Sequence, residues 1–177
     1  MQKRVEVAEA IGRKYPEQVV LVTTRSREGK PNVMAVGWVA IASSDPWMFV
    51  LGIDDEALTY ALIRKTREFV VAFPGERQAT ETLFVGTHHG HRMDKFAECG
   101  LRTQAAAVVK APLVRDAVAN FECRLVEITR PGDCPLIVGQ VVAAHVNTKK
   151  SLRRLYTVGK GYRLTGVRPK RCPRGGG

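Results

Sequence analysis

Three histidines stand close together in His88-His89-Gly90-His91, and His145 lies far off in sequence. Imidazoles ligate zinc or iron, so the cluster is a metal candidate. A loop triplet with no paired cysteine reads equally as exposed or ligand-contacting histidines. A second set suits phosphate: the hydroxyls of Ser43, Ser44, Thr59 and Thr66, near the cations Arg64, Lys65 and Arg67. Hydroxyls, backbone N–H groups and a cation hold a phosphate without a glycine-rich loop. GxGxxG and Walker A are both absent, as are the nucleophile motifs GxSxG and SxxK. No cysteine adjoins a histidine, and no carboxylate pair stands out as an acid–base couple. Cys99, Cys123, Cys134 and Cys172 contain no CxxC pair and read as small apolar residues or incidental thiols.

The elements that must position these groups are mostly strands. Val7, Ile11 and Tyr15 fall on one face of a short helix over 5–15, which Pro16 stops. The run 18–24 is nearly all β-branched, and 32–44 returns as a long strand after the Gly29 turn, so 18–44 reads as a hairpin. Both alternating faces of 32–44 are apolar, which predicts a strand covered on both sides. Gly37 in its middle marks a bulge or a close approach of a ligand to the backbone. Further strands are expected at 47–53, 68–73, 102–109, 119–128 and 136–146. A helix after Asp54-Asp55-Glu56 is expected to use an Asp cap. The polar stretch 76–100 reads as a loop with a short helix near 93–99. Tight turns join most strands, and the crossover helices of a parallel sheet are missing. The fold class is therefore mainly β: an antiparallel β-barrel with flanking helices.

With 177 residues, 45% hydrophobic, the chain suits a single domain over 1–167, followed by a basic Gly/Pro-rich flexible tail over 168–177. The formal charge is +11, and four of those charges lie in the tail. That charge invites nucleic acid or an anionic ligand. No nucleic-acid motif accompanies it, so a basic nucleic-acid-binding barrel is a minor alternative. No apolar run reaches the roughly 18–20 residues of a membrane span, and the N-terminus lacks a signal-peptide core, so a cytoplasmic protein is expected.

The order and spacing of several segments go further. P-x-x-V-V-L-V-T-T, G-K-P-N-V-M-A-V-G-W, A-S-S-D-P and L-T-Y-A-L-I-R-K-T-R-E-F-V-V-A-F-P run through residues 16–74. G-T-H-H-G-H-R-M-D-K-F-A-E-C-G-L, A-P-L-V-R-D-A, F-E-C-R-L and V-G-Q-V-V-A-A-H-V follow. Together, over about residues 15–148, they resemble the flavin reductase-like family of FMN-binding split barrels, which includes flavoredoxins and ferric reductases. The fold this implies is an antiparallel, Greek-key-like split barrel.

The resemblance implies an FMN cofactor, with FAD as the alternative, and NAD(P)H as a possible electron donor. It places Asn32 and the backbone of Val36, Gly37 and Trp38 beside the isoalloxazine ring. Ser43, Ser44 and Asp45 match the segment at the pyrimidine edge or ribityl chain, and Thr59 a position near the phosphate. His89, Gly90, Asp94, Lys95 and Phe96 match an insert near the flavin and the dimer interface, with Asp94 also read as a helix cap. No side chain is implied as catalytic and none as a metal ligand, because redox chemistry belongs to the cofactor. A homodimer is implied. The alternative function is a flavoredoxin-like electron carrier, with the basic surface steering an acidic redox protein. The chain departs from the family pattern in three places: acids precede Thr59, Ala72 stands where Asn is common, and Cys134 follows Gly132-Asp133 where a His is common.

Overall fold

The computed structural model describes residues 1–167. The expectation of a flexible tail at 168–177 lies outside the described residues. Seven strands form one antiparallel sheet: β2 (Val20–Arg25), β3 (Pro31–Val36), β4 (Val39–Ser44), β5 (Trp47–Gly52), β6 (Glu68–Phe73), β9 (Ala119–Thr129) and β10 (Leu136–Val146). Their spatial order is β3-β2-β6-β9-β10-β5-β4. The first and last strands of that order are consecutive in the chain, so the sheet curls until its two edges meet. Val20, Val22 and Val36 from one edge share a single core with Val39, Phe49 and Leu51 from the other. Among the described residues no ladder joins β3 to β4. The barrel is therefore split along that seam, as the resemblance implies, and helices flank it.

The long strand expected at 32–44 is two strands. It breaks at Gly37-Trp38, where the chain crosses the seam. Its second half is not covered on both sides either: Ala40, Ile41 and Ala42 are exposed, because β4 is an edge strand with a partner on one side only. The helix expected over 5–15 shrinks to α1 (Val7–Ile11) and buries no residue.

Two short strands, β7 (Thr103–Gln104) and β8 (Leu113–Val114), replace the strand expected at 102–109. The cause is Glu122. Fully buried on β9, its carboxylate accepts the N–H groups of Ala107, Val108 and Val109 at 2.8, 2.7 and 2.8 Å. Those donors are lost to any ladder, so the segment wraps the carboxylate instead. His145 on β10 closes the cluster, its Nε2 2.6 Å from Glu122 Oε1. Burial pushes the Glu122 carboxyl up, but the three amides and the imidazole together hold it below the ordinary range.

A helix and a hairpin were not expected from the sequence. Helix α3 (Ala79–Thr87) follows a one-turn 3-10 segment at Glu76–Gln78, and the strands β11 (Leu155–Gly159) and β12 (Arg163–Gly166) form a hairpin near the C-terminus. That hairpin pairs with the two-residue strand β1 (Glu17–Gln18). Helices α2 (Leu58–Thr66) and α4 (Lys95–Cys99) complete the flank. Among the described residues no helix is long and apolar enough to cross a membrane.

Candidate functional site

A cavity of about 580 Å³ opens where the barrel is split. One wall is the end of β3 with the break that follows, Met34 to Trp38. Helix α3 supplies Thr82, Leu83, Gly86 and Thr87 opposite. Further lining comes from Gly52 at the end of β5 with Ile53 and Asp54 after it, from Lys14 and Tyr15, and from Thr157, Lys160 and Tyr162 of the β11–β12 hairpin.

The break presents unusual backbone. The carbonyls of Gly37 and Trp38 are both used, accepting from Val39 at 3.1 Å and Gly52 at 2.8 Å. Their N–H groups have no acceptor among the described residues. A Cβ at Gly37 would meet nothing closer than Glu17 Oε1 at 3.8 Å, so this strip of backbone is open to a visitor. Trp38 projects beside it, 60% exposed. Val36, Gly37 and Trp38 thus line the cavity.

Asn32, Thr59 and Gly90 come together at the other end of β3 and, like His89 and Lys95, are not among the residues that line the cavity. Asn32 Nδ2 donates to Thr59 Oγ1 at 2.9 Å and to Thr24 Oγ1 at 3.3 Å, and all three side chains are buried. Gly90 presses on this group: a Cβ there would overlap Asn32 Oδ1 and come within 3.1 Å of Leu58 Cδ2. Thr59 lies in the first turn of α2. That helix begins after Ala57 with no side-chain cap, so the expected Asp cap is absent and its first amides stay available. Two of the three preceding acids have partners of their own. Asp54 Oδ1 accepts from the Glu56 amide at 2.8 Å, and Asp55 pairs with Arg130 at 2.7 Å.

Lys95 supports this end from behind. It is 5% exposed, and its ammonium donates to the carbonyls of Val85 (2.8 Å) and His88 (3.0 Å), closing the C-terminus of α3. It fixes the loop that carries His89, which is exposed, and Gly90. Asp94 caps α4, accepting from the Phe96 and Ala97 amides at 3.0 and 3.3 Å. Burial lowers the Lys95 pKa from 10.5 to about 8. Between those values the unfolded chain holds the proton and the folded chain does not, so this group adds stability as pH rises through that window. Below about 8 the penalty is constant. Thermal melts from pH 7.5 to 10 are expected to favour the wild type progressively over Lys95→Met; parallel pH curves would refute the assignment.

Other candidates lie apart. Ser43, Ser44 and Asp45 sit at the turn between β4 and β5 and do not line the cavity. Arg64, Lys65 and Arg67 occupy the far end of α2 from Thr59. Arg64 stacks on Tyr60, Lys65 reaches Glu28 at 4.0 Å, and Arg67 donates to the Leu125 carbonyl at 3.2 Å. Among the described residues no three His, Cys, Asp or Glu side chains converge as metal ligands. Cys123 is buried in the core, its thiol pushed up to about 12 by desolvation.

The sequence missed the wall facing the break. Thr82, Val85 and Gly86 follow helical i, i+3, i+4 spacing, and Gly86 lets α3 approach to 3.2 Å between its Cβ position and Ala35 Cβ. That spacing was the available signal. It was masked by three threonines, a valine and a glycine, all weak helix formers.

The family model described as "Flavin reductase like domain" matches residues 12–165. The chain belongs to the flavin reductase-like family. Within it, the chain is 33% identical over 129 residues to an uncharacterized protein of Pyrococcus abyssi, covering 73% of each. It is 28% identical over 124 residues to the NADH:riboflavin 5'-phosphate oxidoreductase of Streptomyces pristinaespiralis, covering 70% of this chain and 68% of that one. Among solved structures, the FMN-binding protein from Thermus thermophilus with bound p-hydroxybenzaldehyde is similar, with a TM-score of 0.84 and 25% identity. That match covers 98% of this chain and 100% of the other.

Proposed function

We propose that the chain binds FMN along β3 and acts as an oxidoreductase of the flavin reductase type. It passes electrons from NAD(P)H or a protein donor to flavin, ferric iron or another acceptor. One observation carries this reading: free backbone donors at Gly37-Trp38 and a hydroxyl beside uncapped helix amides at Thr59 lie at opposite ends of one strand. A strand rises about 3.3 Å per residue, so Gly37 and Asn32 are roughly 16 Å apart. That span suits a flat ring at one end and a phosphate at the other.

The residues present fit FMN. Bound flavin supplies the redox chemistry, as an acceptor and donor of electrons. The chain's own part is to bind, orient and shield it. The amides of Gly37 and Trp38 donate to the polar ring edge and stabilise negative charge there. Thr59 and the first amides of α2 hold the phosphate. Asp55, neutralised by Arg130, opposes that little. Val36 and Ile53 keep water from the ring. The names of the Streptomyces and Thermus relatives support the same cofactor, and the former supports NADH as donor.

Trp38, Ile41 and Trp47 are exposed on or beside the edge strand β4. A second copy of the chain covers them in this reading, making a homodimer. Cys134 favours a second function. It stands beside the cavity residue Gly52, 3.6 Å from where a Cβ would lie, and burial pushes its thiol up. It offers no cation for a nicotinamide substrate. That favours a flavoredoxin-like carrier exchanging electrons with an acidic redox protein.

The test is an absorbance spectrum of protein reconstituted with FMN, before and after anaerobic NADH or NADPH. Bound flavin that bleaches, with steady turnover in air, is expected. Bound flavin reducible by dithionite alone selects the carrier. Colourless protein whose melting temperature ignores added FMN refutes both.

A further inference from the structure

Thr82 belongs to the cavity wall, is 1% exposed, and its hydroxyl has no hydrogen-bond partner among the described residues. A helical threonine ordinarily bonds back to the carbonyl four residues earlier. Thr66 does so to Leu62 at 2.8 Å, and Thr87 to Leu83 at 2.9 Å. Thr82 does not. Burying a hydroxyl without a partner disfavours the folded chain, and a valine of the same shape would avoid that cost. The orphan hydroxyl is explained if a ligand satisfies it.

Its position says which part of a ligand. Helix α3 runs against β3 in the opposite direction: Gly90, past the helix end, sits on Asn32, and Gly86 sits on Ala35. One turn back from Gly86 is about 5–6 Å along the helix. Two residues beyond Ala35 is about 6–7 Å along the strand. Thr82 therefore stands level with the Gly37-Trp38 break. The two free amides there can only donate. The threonine oxygen adds the acceptor they lack. A wall with donors and an acceptor matches a heterocycle edge in which a ring N–H lies between two carbonyls.

We propose that Thr82 is a binding residue for the polar edge of a flat heterocycle, its oxygen accepting the ring N–H. Resting on the flavin reading above, it recognises the flavin ring and not the phosphate.

The test compares affinities for FMN and for riboflavin, which shares the ring and lacks the phosphate. Thr82→Val is expected to weaken both by the same factor, about tenfold, the worth of one buried hydrogen bond. Thr82→Ser restores most of the affinity. Ligand-free Thr82→Val melts no lower than wild type, because the lost hydroxyl had no partner. Thr59→Val weakens FMN far more than riboflavin. Unchanged affinity in Thr82→Val, a loss confined to FMN, or a lowered melting temperature that Ser does not rescue overturns the proposal alone. Wild-type protein that binds neither flavin overturns the flavin reading, and this inference with it.

Discussion

Glu122→Ala is expected to destabilise the protein by about 4 kcal/mol, as befits loss of a buried charged acceptor serving several donors. The substitution strands three amide donors, Ala107, Val108 and Val109, together with the His145 ring. A buried N–H left without an acceptor costs about 1–3 kcal/mol, and because Ala107 and Val108 are exposed and only Val109 is buried, the three costs do not simply add. Glu122→Gln keeps an oxygen of the same shape and is expected to lose about half as much. Acid carries a second signature. The folded carboxyl sits below its ordinary range, so its contribution is complete above the unfolded pKa and is lost as pH falls through the folded one. The glutamine variant should therefore lose less stability than wild type between neutrality and pH 3. Chemical denaturation of the three proteins at pH 7 and in acid decides it. An alanine variant within 1 kcal/mol of wild type, by the scale of one hydrogen bond, would show that water replaces the carboxylate.

Gly90→Val is expected to remove FMN binding while the barrel survives. A Cβ at this position overlaps Asn32 Oδ1, and the valine branches press on Leu58 as well. Asn32 is the donor that orients Thr59, so its displacement disorders the end of the strip proposed for the phosphate. Overpacking of this kind costs about 1–3 kcal/mol in stability. The expected loss of FMN affinity is at least about a hundredfold, or roughly 2.7 kcal/mol. Riboflavin affinity should fall much less, because the ring end at Gly37 is untouched. Flavin fluorescence titrations and thermal melts on the same samples separate the two effects. A Gly90→Val protein that stays yellow at wild-type affinity would remove this end of the barrel from the site.

Much of this was legible in the chain. The β-branched run of 18–24, the apolar strands and the segments spread over residues 15–148 gave the mainly β split barrel and its family. Gly37 stood out because a glycine interrupts an otherwise apolar strand, Val36 and Trp38 came from the resemblance, and all three line the cavity. What stayed hidden depended on distant partners. The irregular path at 105–111 is dictated by one carboxylate on another strand, and no local pattern encodes that. Helix α3 is held by packing on β3 and by the Lys95 ammonium, while the polar, His- and Gly-containing stretch 76–100 around it read as a loop. The exposure of β4 follows from its place at a sheet edge, which alternation of residue types does not specify. Ser43 and Ser44 were candidates by their hydroxyls as well as by the resemblance, Asp45 by the resemblance alone, and none of the three lines the cavity.

The unlaced seam between β3 and β4 has a consequence for the protein's life in a cell. A molecule lodged between two edge strands is bound by the folded chain and not by the unfolded one. At a free concentration a hundred times its dissociation constant, it adds about 2.7 kcal/mol to stability. That is enough to change the fraction of chains open to proteases about a hundredfold. If the flavin proposed for this seam binds there, chains made while it is scarce would be the ones more open to degradation.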